Sequence, residues 1–290
     1  MTYALYNGKL IPRNQALIPI EKKEVLFSYG VYESLKVKKG IPLFLEEHIE
    51  RFMESARIME LDHPFQDEEI IRGIYRLIEG EEIEEATIRL QMYGGEKPFY
   101  YAFPSPLQKY SEGFYQKGID VISYPGERFI PAAKSNCLLL NFIAQREAAK
   151  AGAVEALLLN HAGDLLEGSR SNIFALLDTT LVTPGEGVLQ GVTRKHIIEY
   201  WIQSAGIVEY RPLSLDDVLN RQYTGLYISS TSMGMVPVVR CDGKEIARSD
   251  ARQRIIQVAR KINEALKRRE REYVDSVPKT VPENRRKPPE

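Results

Sequence analysis

Cysteine, histidine and tryptophan are scarce, at two, four and one among 290 residues. Cys137 and Cys241 stand far apart and match no metal-ligand spacing, which argues against a disulfide framework and suits reduced thiols in a cytosolic protein. His48, His63, His161 and His196 are scattered, so no metal site is expected. No Gly-x-Gly-x-x-Gly opens a helix, no phosphate loop ends in Gly-Lys-Ser or Gly-Lys-Thr, and Gly-x-Ser-x-Gly is missing. Dinucleotide, nucleoside-triphosphate and serine-hydrolase chemistry lose their usual signatures, leaving a cofactor without a nucleotide motif. An excess of charge is lacking as well. Forty acidic against 39 basic residues give no field to recruit nucleic acid. No apolar run approaches a membrane span, and the N-terminus has no basic region followed by a long apolar core, so the expectation is a soluble, cytoplasmic protein with no membrane partner.

What the chain does contain is enough apolar residue, 43%, for two modest cores. Segments from Tyr3 to Leu10 and Val31 to Val37, punctuated by Asn7-Gly8 and Lys39-Gly40, predict antiparallel strands joined by turns. Leu45, Ile49, Phe52, Ala56 and Met59 recur at helical spacing, and a second helix carries Ile70, Ile74 and Leu77 to a stop at Gly80. Ala86 to Tyr93 alternates as a half-buried strand. The stretch from Phe103-Pro104-Ser105-Pro106 to Gly113 breaks both periodicities and is read as a linker. Beyond it the pattern predicts strands at 119–124, 154–159, 172–177 and 181–183, helices at 138–150 and 193–205, a hairpin at Asp242-Gly243 and a helix from Asp250 to Tyr273. The expected organisation is a small α/β domain over 1–112, a larger domain over 113–275, and a disordered tail over 276–290.

Two segments can carry chemistry. Glu167-Gly168-Ser169-Arg170-Ser171-Asn172 sets a lone carboxylate at a strand end before small residues, where a ligand can approach closely. Leu189-Gln190-Gly191-Val192-Thr193-Arg194 runs into a helix whose first N–H groups, with the Thr193 hydroxyl, favour an anion. An ordinary turn with Thr193 as helix cap reads the same way.

With Gly30-Val31-Tyr32-Glu33, Glu47-His48-Ile49-Glu50-Arg51, Lys134 ahead of a helix, and Ser230-Thr231 before Val236-Pro237-Val238, these segments resemble in order the class IV aminotransferases. That pyridoxal-phosphate family includes D-amino-acid transaminase, branched-chain aminotransferase and aminodeoxychorismate lyase. The resemblance covers Tyr3 to Lys267. It implies fold type IV, with an α+β small domain, an α/β barrel-like large domain and the cofactor in the cleft between them. It implies a homodimer acting on an amino acid and a 2-oxo acid. Lys134 matches the lysine that carries pyridoxal 5'-phosphate as a Schiff base and shuttles the substrate proton. Glu167 matches the carboxylate facing the pyridine nitrogen, and Arg51 the arginine that grips the phosphate. Val192, Thr193, Ser230 and Thr231 correspond to the phosphate cup, Leu189 to the leucine on the ring face, and Ser171 and Asn172 to neighbouring cofactor contacts.

Substrate residues follow the family less closely. Lys134-Ser135-Asn136-Cys137 lacks the tyrosine that follows the lysine in branched-chain enzymes, and the Arg-x-His carboxylate trap of D-amino-acid enzymes is missing after Gln91-Met92-Tyr93. Arg89 and Tyr93, on one strand face, are the replacement candidates. Phe27, Tyr32 and Ser232 are read as pocket wall, and Arg170 as a charge near the cofactor, paired with Glu167, with substrate or with solvent. The leading reading is transamination of a D-amino acid or a branched-chain L-amino acid. A lyase of the aminodeoxychorismate lyase type and a non-catalytic pyridoxal-phosphate-binding protein stand as alternatives.

Overall fold

The computed structural model describes residues 2–247 and 251–277, and the chain divides into two units. The first takes the chain up to Gln108, the short segment Ala133–Cys137, and the chain from Arg269 onward. Lys109–Ala132 and Leu138–Arg268 form the second. The boundary thus falls at 108 instead of 112, and the segment holding Lys134 groups with the first unit. Of the tail expected over 276–290, Ser276 ends a helix and Val277 follows it, while the rest lies outside the described residues, as does Asp250.

In the first unit, β1 (Tyr3–Tyr6) and β2 (Lys9–Pro12) form a hairpin, followed by α1 (Lys23–Leu26), β3 (Gly30–Lys38) and β4 (Ile41–Pro42). Helices α2 (Leu45–Ile58) and α3 (Asp67–Gly80) precede β5 (Glu85–Tyr93) and β6 (Phe99–Ser105). Both hairpin turns use paired positive φ, at Asn7 (47°) and Gly8 (78°) and at Lys39 (49°) and Gly40 (72°), the geometry whose twist suits two-residue connections. The sheet order is β2-β1-β6-β5-β3-β4, antiparallel throughout. Alternation sends Val31, Leu35 and Val37 of β3 and Ile88, Leu90 and Met92 of β5 into one core with Ile49, Phe52, Ile74 and Leu77 of the helices. Each such fully buried side chain contributes roughly 1.5–3 kcal/mol. The opposite face carries Tyr93, Phe99 and Tyr101.

Strand β6 was not expected. Its Phe99-Tyr100-Tyr101-Ala102-Phe103 run is apolar on both faces, and Pro104-Ser105 reads as a break. Pro104 sits opposite Ile88 of β5, beyond the residues that β1 pairs, where a missing N–H leaves no ladder bond unmade on the other side.

In the second unit, α4 (Glu112–Lys117) leads to β7 (Ile119–Pro125), α5 (Leu139–Lys150), β8 (Glu155–Leu159), β9 (Asp164–Gly168), β10 (Asn172–Leu177) and β11 (Thr180–Thr183). Then come α6 (Val192–Gln203), β12 (Ile207–Tyr210), β13 (Leu213–Ser214), α7 (Leu215–Leu219), β14 (Gly225–Ser230), β15 (Gly234–Cys241), β16 (Lys244–Glu245) and the long α8 (Arg252–Ser276). One mixed sheet runs β12-β11-β10-β14-β15-β7-β8-β9-β13, with β16 on β15. The consecutive strands β9 and β10 stand five positions apart in that order. On a flat sheet the gap is about 24 Å, whereas the step from Gly168 to Asn172 reaches at most about 14 Å. The sheet must therefore curl, and the short turn at 169–171 is where the curl is fixed. Among the described residues no helix is long and apolar enough to cross a membrane.

Candidate active site

Lys134 is set by backbone bonds as much as by its neighbours. Tyr32 N–H donates to Lys134 O (2.9 Å), Asn136 N–H donates to Gly30 O (2.8 Å), and Ser135 bridges Val31, so the lysine segment continues the sheet along the start of β3. Lys134 N–H donates to Ser55 Oγ (3.0 Å), and Ser55 Oγ donates to Arg51 O (2.7 Å), tying the segment to α2. Gly30 is required here, because a Cβ would lie 2.2 Å from Met92 O and 2.5 Å from Asn136 Nδ2. The Lys134 ammonium stands 4.5 Å above the half-buried Tyr32 ring, a cation–π contact.

On the core face of β3, Glu33 is 0% exposed. Arg51 donates to both its oxygens, Nε to Oε2 (2.8 Å) and Nη2 to Oε1 (2.7 Å), and His48 Nδ1 lies 3.3 Å from Oε1. Burial alone would raise the Glu33 pKa, but Arg51, then His48 and Lys134, hold it far below the carboxylate range. Burial, against the pull of Glu33, lowers His48 and keeps its ring neutral. The Nε and Nη2 atoms of Arg51 are committed to Glu33. Glu33 belongs to the motif at the start of β3, which by itself suggests no role for it. Its signal was there: period two puts an acid in register with Val31, Leu35 and Val37.

In the second unit Glu167 is the penultimate residue of β9, 5% exposed, with Arg128 Nε donating to Oε1 (2.6 Å) and Leu189 N–H to Oε2 (3.0 Å). Arg128 also donates to Pro131 O, which fixes the guanidinium. Nothing in the sequence singled out this arginine, because loop residues carry no periodicity. Asn172 opens β10 and donates from Nδ2 to Leu189 O (2.7 Å), while its Oδ1 occupies the place a Cβ on Gly191 would take. Gly191 precedes α6 and supplies no side-chain cap, so the first-turn N–H groups of Val192 and Thr193 face outward without one. Thr193 is half-buried within α6, so it is not the helix cap. Ser230, Thr231 and Ser232 form the β14–β15 turn, with the Ser230 and Ser232 hydroxyls 3.2 Å apart.

Several expected roles change. The Ser171 hydroxyl donates inward to Glu155 (3.1 Å), away from any ligand-facing role. Arg170 does not pair with Glu167, which Arg128 holds; its Nε lies 3.7 Å from Glu155 Oε2. Tyr93 stacks on Phe99 (5.2 Å) and is buried, whereas Arg89 is exposed. Four residues along a strand separate their backbones by about 13 Å, so the two do not form a ready-made pair. Phe27 is 77% exposed.

The sequence profile of the family described as amino-transferase class IV matches residues 30–241. A Methanocaldococcus jannaschii protein with a provisional branched-chain-amino-acid aminotransferase name is 29% identical over 278 residues, 90% of this chain and 94% of its own. A D-alanine aminotransferase of Staphylococcus haemolyticus is 28% identical over 85% of this chain and 91% of its own. Among solved structures, the fold IV transaminase CpuTA1 of Curtobacterium pusillum superposes with a TM-score of 0.77 at 26% identity, covering 91% of this chain and 92% of that one. The branched-chain aminotransferase of Thermoproteus uzoniensis, solved with norvaline, reaches 0.80 at 22%, over 94% and 97%.

Proposed function

The chain belongs to the class IV aminotransferases, whose pyridoxal 5'-phosphate-dependent transamination is its reaction, and from that premise we propose the residues that carry it out. The carrying observation is Glu167, a buried carboxylate held at both oxygens by Arg128 and the Leu189 N–H, one turn before an uncapped helix start. These residues fit the cofactor's chemistry: an anion for a ring nitrogen, N–H donors for a phosphate, and in the other unit an amine beside an aromatic ring. When bound, the cofactor supplies an electron-withdrawing ring and a carbonyl carbon that carries the amino group between substrates.

Lys134 is the amine that would hold the cofactor, and its Nζ would move the proton at the substrate α-carbon. The Tyr32 ring beneath Nζ limits where the amine can swing. Glu167 favours a proton on the ring nitrogen, and Arg128 keeps the carboxylate aimed. Val192 and Thr193 N–H groups, the Thr193 and Thr231 hydroxyls and Ser230 take the phosphate, with Arg51 adding charge. Asn172 and Leu189 set the wall of the ring site.

For the substrate, Arg89 is the proposed carboxylate holder, on the sheet face shared with Tyr32. Both D-alanine and branched-chain relatives lie near this chain, so the donor is proposed as a small or branched apolar amino acid and the acceptor as a 2-oxo acid. A homodimer in the cytoplasm completes the proposal. Leu17, Ile20, Leu26 and Phe27 support it, since each is at least 66% exposed, a cost in water that a second subunit would relieve.

A panel of D- and L-amino acids against one 2-oxo acid tests the function. Amino donor alone should convert the bound cofactor stoichiometrically to its aminated form. Release of ammonia with no aminated cofactor would overturn the proposal in favour of elimination.

A further inference from the structure

Glu155, the first residue of β8, is 0% exposed and was assigned no role from sequence or family. It sits beneath the turn that joins Glu167 to Asn172. Ser169 Oγ contacts Oε1, Ser171 Oγ donates to Oε2 (3.1 Å), and the Ala156 N–H donates to Oε1 (3.1 Å). The same Ser169 hydroxyl also lies 2.9 Å from Gln145 Oε1. That amide oxygen is fixed as an acceptor, because Gln145 Nε2 donates to Val154 O (3.0 Å). Ser169 Oγ therefore stands between two acceptors with a single proton to give. One of the two contacts is an unsatisfied clash of lone pairs unless Glu155 brings a proton of its own.

We propose that Glu155 is a positioning residue that works as a neutral carboxylic acid, donating its proton from Oε1 to Ser169 Oγ, which donates in turn to Gln145. The surroundings agree. From α5 the facing groups are Asn141, whose Nδ2 donates to Ser169 O, and Gln145, both uncharged. From the turn the charged neighbour is Arg170, its side chain half exposed and its Nε 3.7 Å away. Burial raises the Glu155 pKa, and Ser169, Arg170 and Ser171 only partly oppose it.

The consequence reaches the cofactor carboxylate through a closed circuit. Glu155 pins Ser169 and Ser171, Gly168 N–H donates to Ser171 O (2.7 Å), Asn172 holds Leu189 O, and Leu189 N–H holds Glu167. Gly168 has no room for a side chain, since a Cβ would lie 2.1 Å from Ser171 Oγ and 3.1 Å from Glu155 Cγ. The role depends on the proposed function, but the proton on Glu155 does not.

Two measurements separate them. Infrared difference spectroscopy of the cofactor-free full chain at neutral pH should show a protonated-carboxyl band that Glu155→Gln removes. Pyridoxal-phosphate titration and the pH dependence of the bound cofactor's visible absorbance should be nearly unchanged in Glu155→Gln, which keeps a donor, while Glu155→Ala weakens binding about tenfold, the equivalent of one lost buried hydrogen bond. If Glu155→Ala does not fold, Ser169→Ala serves, and should shift the carboxyl band by removing its acceptor. No band, or a Gln variant as impaired as the Ala variant, overturns the proposal. A band present in a protein that binds no pyridoxal phosphate upholds the proton and sinks the proposed function instead.

Discussion

Glu33 and Glu155 are both completely buried, one in each unit, yet their surroundings drive them to opposite states. Around Glu33 stand a bidentate guanidinium, a histidine and the Lys134 amine, and these overcome the cost of burial so that the carboxylate stays charged. Around Glu155 stand two serine hydroxyls, a backbone N–H and one half-exposed arginine, and there burial wins. Depth does not decide ionisation. What decides it is whether full charges, or only dipoles, face the buried group. The first unit thereby carries a fixed anion within the field of Lys134, and the second a neutral strut beneath the turn that follows Glu167.

The largest expected effect comes from removing the amine itself. Lys134→Ala should cost at least about 10²–10⁴ in turnover, the range for a positioned proton-transfer group, read in a coupled 2-oxo acid assay. Next, Glu33→Ala takes the fully buried carboxylate from the half-buried Arg51 and should cost about 3–5 kcal/mol in urea unfolding. Gly168→Ala drives a methyl into Ser171 and should cost about 1–3 kcal/mol in the same measurement. A matched pair sharpens the comparison: Glu33→Gln should lose about 1.5–3 kcal/mol, as for a charged hydrogen-bond partner, while Glu155→Gln should lose under about 1 kcal/mol. Equal costs would break the contrast.

The smallest effects are pH slopes, and they have opposite signs. Glu33 has a folded pKa below the ordinary 4.5, so its contribution is full above that value and lost as the pH falls below it. Glu155 has a raised folded pKa, so its contribution is full below 4.5 and declines as the pH rises from there. Urea unfolding across pH should show Glu33→Gln flattening the acid limb and Glu155→Gln flattening the decline above 4.5.

Most elements were legible because their periods are clean, as in Leu45–Ile58 and Glu85–Tyr93. Strand β6 was missed because aromatics on both faces erase alternation and Pro104 imitates a break. Lys134, Arg51 and Glu167 stand in ordered motifs that the sequence displays. Arg128 does not, and a loop arginine acquires its partner only through the fold. The partners of Ser171 and Arg170 were hidden for the same reason: both look toward Glu155, far back in the chain at the start of β8.

Borohydride reduction of the pyridoxal-phosphate-loaded protein, followed by peptide mapping, tests the central assignment most directly. The expected result is a single reduced pyridoxyl adduct on Lys134. An adduct on any other lysine, or none at saturating cofactor, would contradict it.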